Sequence, residues 1–232
     1  MNSIRQQTHT STELIVIDGG SSDGTVPILQ NTRFIDKLVI EPDKGIYDAM
    51  NKGIRIATGE VIGFLHSDDE FACNSILATV ARVFENNPNI SAVYGDLKYV
   101  KRGDSDIAVR HWRSRSFRRS LLSRGWMPPH PTLYVSRQCL KELKGFNTNY
   151  KISSDYDFIL RLFSNSKFES RYVSRTFIKM RLGGVSNNSL GNVLRKSYED
   201  WCVLRKNGFN MSHSLIALFF KNLTKINQFF KN

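Results

Sequence analysis

The strongest constraint on this chain is a unit repeated near its start: an apolar run, an acidic or glycine-rich turn, then residues at helical spacing. Residues 14–17 are continuously apolar and partly β-branched, and Asp18-Gly19-Gly20-Ser21-Ser22-Asp23-Gly24 closes them. A run that does not alternate reads as a strand covered on both faces. Residues 25–31 follow as a short helix, with Ser22 or Asp23 to cap it and Pro27 in the first turn. Residues 37–40 form a second strand. Ile46, Met50, Ile54 and Ala57 lie at helical spacing, and Gly59 is placed to end that helix. A third strand, 61–65, leads to the pair Asp68 and Asp69, and a helix over 74–86 stops before Pro88. Alternation at this interval predicts an α/β fold: a mostly parallel sheet with helices on both faces.

Downstream the pattern is looser. Residues 92–94 and 97–100 read as two strands, and the arginine-dense stretch 101–124 breaks the regular spacing. Met127-Pro128-Pro129-His130-Pro131 must be extended or turned, because each proline removes a donor and biases its predecessor away from helix. A strand over 132–135 and helices over 138–143 and 155–163 come next, the last with Phe158, Ile159 and Leu162 on one face and Ser153 or Ser154 to cap it. Residues 190–204 repeat apolar groups at Leu190, Leu194, Tyr198, Trp201 and Leu204. The tail 214–230 is an amphipathic helix gathering Leu215, Leu218, Phe219, Leu223, Ile226 and Phe230, with Lys221 on the far side. Such a helix lies in a membrane interface or docks on its own core.

At 232 residues and 41% hydrophobic, the chain suits one compact domain with a small extension. We place the main domain over 1–185 and a basic amphipathic helical extension over 186–232. No run approaches the roughly 18 to 20 apolar residues of a spanning helix, and residues 1–11 are too polar to read as a signal peptide. Three scattered cysteines, Cys73, Cys139 and Cys202, fit a reducing cytosol. The net charge of +12 divides unevenly: −6 over residues 1–97 and +18 over 98–232. A basic half suits nucleic acid, an anionic membrane surface, a pyrophosphate-linked lipid or plain solvation, and no nucleic-acid module is recognisable.

Five segments together carry a resemblance: IVIDGGSSDGT at 15–25, PDKGIYDAMNKGI at 42–54, ATGEVIGFLHSDDEF at 57–71, PPHPTLYVSRQ at 128–138 and KISSDYDFILRL at 151–162. In this order they resemble the inverting family-2 glycosyltransferases, specifically the bacterial exopolysaccharide and lipopolysaccharide branch. The resemblance implies a glycosyltransferase A-type fold, a UDP- or GDP-sugar donor, and Mg or Mn as cofactor.

Carried over by position, the resemblance makes Asp18 the carboxylate that receives the nucleotide base. Lys44 and Asn51 fall in the segment that faces the donor. Asp68 is assigned to ribose or metal and Asp69 to metal, since a cation against a diphosphate needs hard oxygen ligands. His66 stands where the family often has Asp, which leaves the ligand set open. Asp155 matches the base that removes the acceptor hydroxyl's proton, with Asp157 its competitor. His130 would orient a hydroxyl or phosphate, and Arg181 with Gly183-Gly184-Val185-Ser186 resembles a donor-closing loop.

The resemblance implies a strand and helix ahead of the segment matching residues 3–7, so the expectation is a chain that starts inside that helix, either because Met1 is a misplaced start or because the product is a truncated remnant. The expectation is therefore a transferase at the cytoplasmic face of the inner membrane, acting on a lipid-linked oligosaccharide and not on nucleic acid. The alternative is an inactive truncated remnant that binds membrane or a partner.

Overall fold

The computed structural model describes residues 1–101, 103–182 and 190–227, apart from the side chains of 190 and 224–227. The helices are α1 Asn2–Arg5, α2 Thr25–Gln30, α3 Ile46–Ile56, α4 Ile76–Glu85, α5 Arg137–Glu142, α6 Ser154–Ser164, α7 Leu190–Lys206 and α8 Met211–Asn227. The strands are β1 Ile15–Asp18, β2 Lys37–Ile40, β3 Val61–Ile62, β4 Asp69–Phe71, β5 Ile90–Lys101, β6 Asp104–Trp112, β7 Tyr134–Ser136 and β8 Glu169–Arg181.

β1 and β2 pair in parallel, from Ile15 opposite Lys37 to Asp18 opposite Ile40, with α2 as the crossover that parallel neighbours require. The other strands form a second sheet in the order β3-β7-β5-β8-β4, with β6 also on β5. There β5 and β8 are parallel, and the remaining pairs are antiparallel. The α/β class is as expected, but the sheet is mixed instead of mostly parallel. Helical crossovers govern only the first part of the chain, and β5 and β6 follow each other directly as antiparallel neighbours.

Two strands differ from the sequence reading for a definable reason. Residues 92–94 and 97–100 belong to one continuous strand, β5, buried from Ile90 through Leu97. The gap between them holds Gly95, where Phe177 of β8 crosses: a Cβ there would sit 2.6 Å from the Phe177 ring. β8 itself was not foreseen, because charged residues interrupt ESRYVSRTFIKMR. Only Phe177 and Ile178 within it are fully buried.

α6 runs through the core. Nine of its residues, from Ser154 to Phe163, are buried, and each buried Phe, Ile or Leu contributes roughly 1.5–3 kcal/mol. This burial fixes the direction in which the first turn presents Asp155.

α7 and α8 close the same core, with Val203, Leu204 and Ala217 fully buried in the cluster that holds Tyr156 and Phe158. Gly125 permits the contact: its φ is +64°, and a Cβ there would lie 2.2 Å from the Ala217 carbonyl oxygen. Lys221 overturns its expected outward position. It is buried, its Nζ lies 2.8 Å from Asp200 Oδ2, and it sits 3.3 Å above the Tyr156 ring. α8 thus docks through Ser214, Ala217 and Lys221, and leaves Leu215 and Phe219 of the expected apolar face exposed. Among the described residues no helix is long and apolar enough to cross a membrane.

Candidate active site

Asp18 ends β1 as expected. Its Oδ1 accepts from the N–H groups of Gly20 and Ser21 at 2.9 and 2.7 Å, and its Oδ2 accepts from the Ser21 hydroxyl at 2.8 Å. The Ser21 N–H contributes most to holding its carboxyl below the usual range. The carboxylate therefore shapes the glycine-rich turn that follows the strand.

Lys44 is exposed at the start of α3, on the wall of a cavity of about 300 Å³ that also holds Tyr47, Tyr150 and Lys151. Asn51, on α3, is joined to the backbone of Phe146. Its Nδ2 donates to the Phe146 carbonyl at 2.8 Å and its Oδ1 accepts from the Phe146 N–H at 2.9 Å. Both ends of the amide are committed, so Asn51 braces the loop before α6. Gly145, at φ +61°, permits this close packing: a Cβ there would lie 2.5 Å from Asn51 Oδ1.

Asp68 and Asp69 do not end the third strand as anticipated. β3 stops at Ile62, and the pair lies at the start of β4, where Asp69 is opposite Met180 of β8. Asp68 is exposed. Asp69 is buried, and its Oδ2 has no hydrogen-bond partner. Burial, then the neighbouring charge of Asp68, pushes the Asp69 carboxyl up to about 7. An orphaned buried carboxylate oxygen beside a second acid fits a divalent cation. No cluster of three or more His, Cys, Asp or Glu side chains placed to hold a metal occurs among the described residues.

Asp155 occupies the first turn of α6 and is buried. Its Oδ1 accepts from the Tyr156 N–H at 2.8 Å, and its Oδ2 lies 3.2 Å from His130 Nδ1. The Tyr47 hydroxyl donates to the Ile152 carbonyl at 2.7 Å and lies 3.3 Å from Asp155 Oδ1. The other ring nitrogen of His130, Nε2, is 3.3 Å from His66 Nε2. Burial, reinforced by His130, pulls His66 down to about 4, and burial also lowers His130. Burial thus favours the neutral form of both rings. The His66 carbonyl in turn accepts from the Asp69 N–H at 3.0 Å, so a continuous run of contacts joins Asp155 to the acidic pair.

Asp157, the competitor, is spent elsewhere. Arg161 Nε donates to its Oδ2 at 2.8 Å, and the same guanidinium reaches the carbonyls of Leu143 and Gly145. Asp155, by contrast, is the acid in contact with His130 and Tyr47. Arg181 ends β8, its N–H 3.4 Å from the Asp68 carbonyl, and the expected loop from Gly183 to Ser186 lies outside the described residues. Sequence reasoning missed Tyr47, whose only signal was its place in KGIYDAMN, and Glu199, which has no local signal.

A family model described as "Glycosyl transferase family 2" matches residues 1–140. The chain belongs to glycosyl transferase family 2. A PGL/p-HBAD biosynthesis glycosyltransferase of Mycobacterium tuberculosis is 31% identical to this family-2 chain over 192 residues, covering 81% of it and 72% of the relative. An uncharacterized glycosyltransferase of Haemophilus influenzae is 26% identical over 174 residues, covering 72% and 58%. Among solved structures, S. aureus TarS in complex with UDP-GlcNAc superposes with a TM-score of 0.65 at 17% identity, covering 95% of this chain and 66% of that one. The mannosyltransferase PcManGT from Pyrobaculum calidifontis, in complex with GDP-Man and Mn2+, gives 0.63 at 18%, covering 95% and 63%. The fold is thus that of the glycosyltransferase A type. This family-2 chain spans under two thirds of these two solved chains.

Proposed function

We propose that this family-2 glycosyltransferase moves a sugar from a UDP- or GDP-sugar to a hydroxyl of a lipid-linked or polysaccharide acceptor, with inversion, in bacterial surface-polysaccharide assembly. The observation that carries the reading is the buried Asp155 carboxylate, linked through His130 and His66 to the loop of Asp68 and Asp69. In the transfer, the acceptor oxygen attacks the anomeric carbon, the bond to the diphosphate breaks, and Asp155 takes the hydroxyl proton. His130 and the Tyr156 N–H hold the carboxylate in place for that step. Asp69 and Asp68 would hold Mg or Mn, which when bound offsets the charge growing on the departing diphosphate. Asp18 and Lys44 would serve the donor, as the family pattern suggests.

A lipid-borne acceptor is favoured by the basic half of the chain and by the exposed apolar side chains on α7 and α8. Leu194, Tyr198, Leu215 and Phe219 are 73, 70, 57 and 64% exposed. Apolar groups set among Lys and Arg suit peripheral contact with an anionic bilayer at the cytoplasmic face. The neighbours solved with UDP-GlcNAc and GDP-Man are consistent with this choice of donor class.

The test is to supply radiolabelled UDP- and GDP-sugars, Mn²⁺ and a bacterial membrane lipid extract, and to follow label into the organic phase. Mn²⁺-dependent transfer with inverted anomeric configuration is expected. Turnover of no donor, or retained configuration, would contradict the proposal.

A further inference from the structure

The turn that launches α6 is held from two sides. Glu199, on α7 and 6% exposed, accepts three consecutive backbone N–H groups: Oε2 from Ile152 and Ser153 at 2.8 and 3.0 Å, and Oε1 from Lys151 at 3.2 Å. Arg195 Nε donates to Oε1 at 3.1 Å from one turn earlier in α7. Burial works against the charge of Glu199, but the Ile152 and Ser153 N–H groups and Arg195 outweigh it, and the carboxyl stays below its usual range. On the opposite side, the Tyr47 hydroxyl of α3 donates to the Ile152 carbonyl. One peptide segment is therefore gripped by its N–H groups from α7 and by its carbonyl from α3. Asp155 follows it within one turn. A carboxylate at this place also faces the positive end of the α6 dipole.

We propose that Glu199 is a positioning residue for Asp155: it fixes residues 151–153 so that the first turn of α6 presents the base carboxylate to the acceptor. The proposal rests on the assignment of Asp155 made above. It makes α7 part of the catalytic apparatus, although the sequence places that helix in an extension. Asp200, the next residue, anchors α7 to α8 through Lys221, which sits over the Tyr156 ring, so the clamp stands on a buried foundation. A well-aligned carboxylate is sensitive to its mounting: displacement by about 1 Å costs on the order of 10²-fold in rate.

Donor hydrolysis supplies the test, because water replaces the unidentified acceptor. UDP- and GDP-sugars with Mn²⁺ are given to the unaltered protein and to Asp155→Asn, Glu199→Ala and Glu199→Gln. Glu199→Ala is expected to lose on the order of 10²-fold in kcat. Glu199→Gln, which keeps one acceptor oxygen, should lose less, and the Kd for UDP or GDP should not change in either. Glu199→Ala at the unaltered rate while Asp155→Asn is inactive overturns the clamp and leaves the proposed function standing. Asp155→Asn at the unaltered rate, or an unaltered protein that hydrolyses no donor, overturns both. If Glu199→Ala does not fold, amide hydrogen exchange in Glu199→Gln decides. Faster exchange at Ile152 and Ser153, with Tyr94 in β5 unchanged, supports the clamp, and unchanged exchange at all three overturns it.

Discussion

His66 Nε2 lies 3.3 Å from His130 Nε2, and this contact ties the loop of the acidic pair to the candidate base, since His130 Nδ1 is 3.2 Å from Asp155 Oδ2. Removing the imidazole of His130 leaves one carboxylate oxygen without its partner and free to rotate. His130→Ala is expected to reduce donor turnover by about 10- to 100-fold with nucleotide affinity unchanged. Steady-state hydrolysis and calorimetric binding of UDP or GDP check both halves.

The Asp69 carboxyl, raised to about 7 by burial and by Asp68, makes cation binding depend on pH. A cation needs the ionised acid, so Mn²⁺ affinity should fall as pH drops below about 7. In the folded, metal-free protein the raised pKa means that more protons are bound than in the unfolded chain between the ordinary carboxylate range and about 7. Stability without metal therefore declines as pH rises through that window. Thermal melts should show Mn²⁺ stabilising more at pH 8 than at pH 6, and Asp69→Asn should abolish the difference. Equal stabilisation at both pH values would count against Asp69 as a ligand.

The Lys221–Asp200 pair is buried on both sides, each side chain 5% exposed. Removing one partner strands the other in the core, which costs about 3–5 kcal/mol, whereas replacing both with apolar or neutral groups is far milder. Lys221→Met should lower stability by about that amount in urea melts, and adding Asp200→Asn should recover most of it. No recovery in the double variant would show that packing on Tyr156, and not charge, holds α8.

Leu215 and Phe219 point away from the core. If they enter a bilayer interface, each contributes roughly 1.5–3 kcal/mol. Replacing both with Ser should weaken sedimentation with phosphatidylglycerol-rich vesicles by well over tenfold and leave the melting temperature unchanged. Undiminished vesicle binding would remove this face from membrane contact.

The sequence made the local elements of the first part legible because they follow local rules. Lys37–Ile40 and the start of α3 at Ile46 were read to the residue, since apolar spacing and turn chemistry act over a few positions. What escaped depended on distant partners. Residues 92–94 and 97–100 read as two strands until Phe177 is seen to cross Gly95 between them, and Lys221 reads as a solvent-facing lysine until Asp200 and Tyr156 surround it. At the site, Asp18, the acidic pair and Asp155 were visible as motifs, yet Asp69 opens β4 instead of following β3. Asn51 turned out to brace Phe146. Glu199 was invisible because, Arg195 apart, its partners are distant backbone N–H groups, which carry no side-chain signature.

The most direct measurement of the central claim compares Asp155→Asn with the unaltered protein in Mn²⁺-dependent release of nucleoside diphosphate, with UDP and GDP affinities measured on the same samples. The account predicts a loss of about 10²- to 10⁴-fold in kcat for Asp155→Asn, with nucleotide affinity preserved. Release at the unaltered rate from that variant would contradict it.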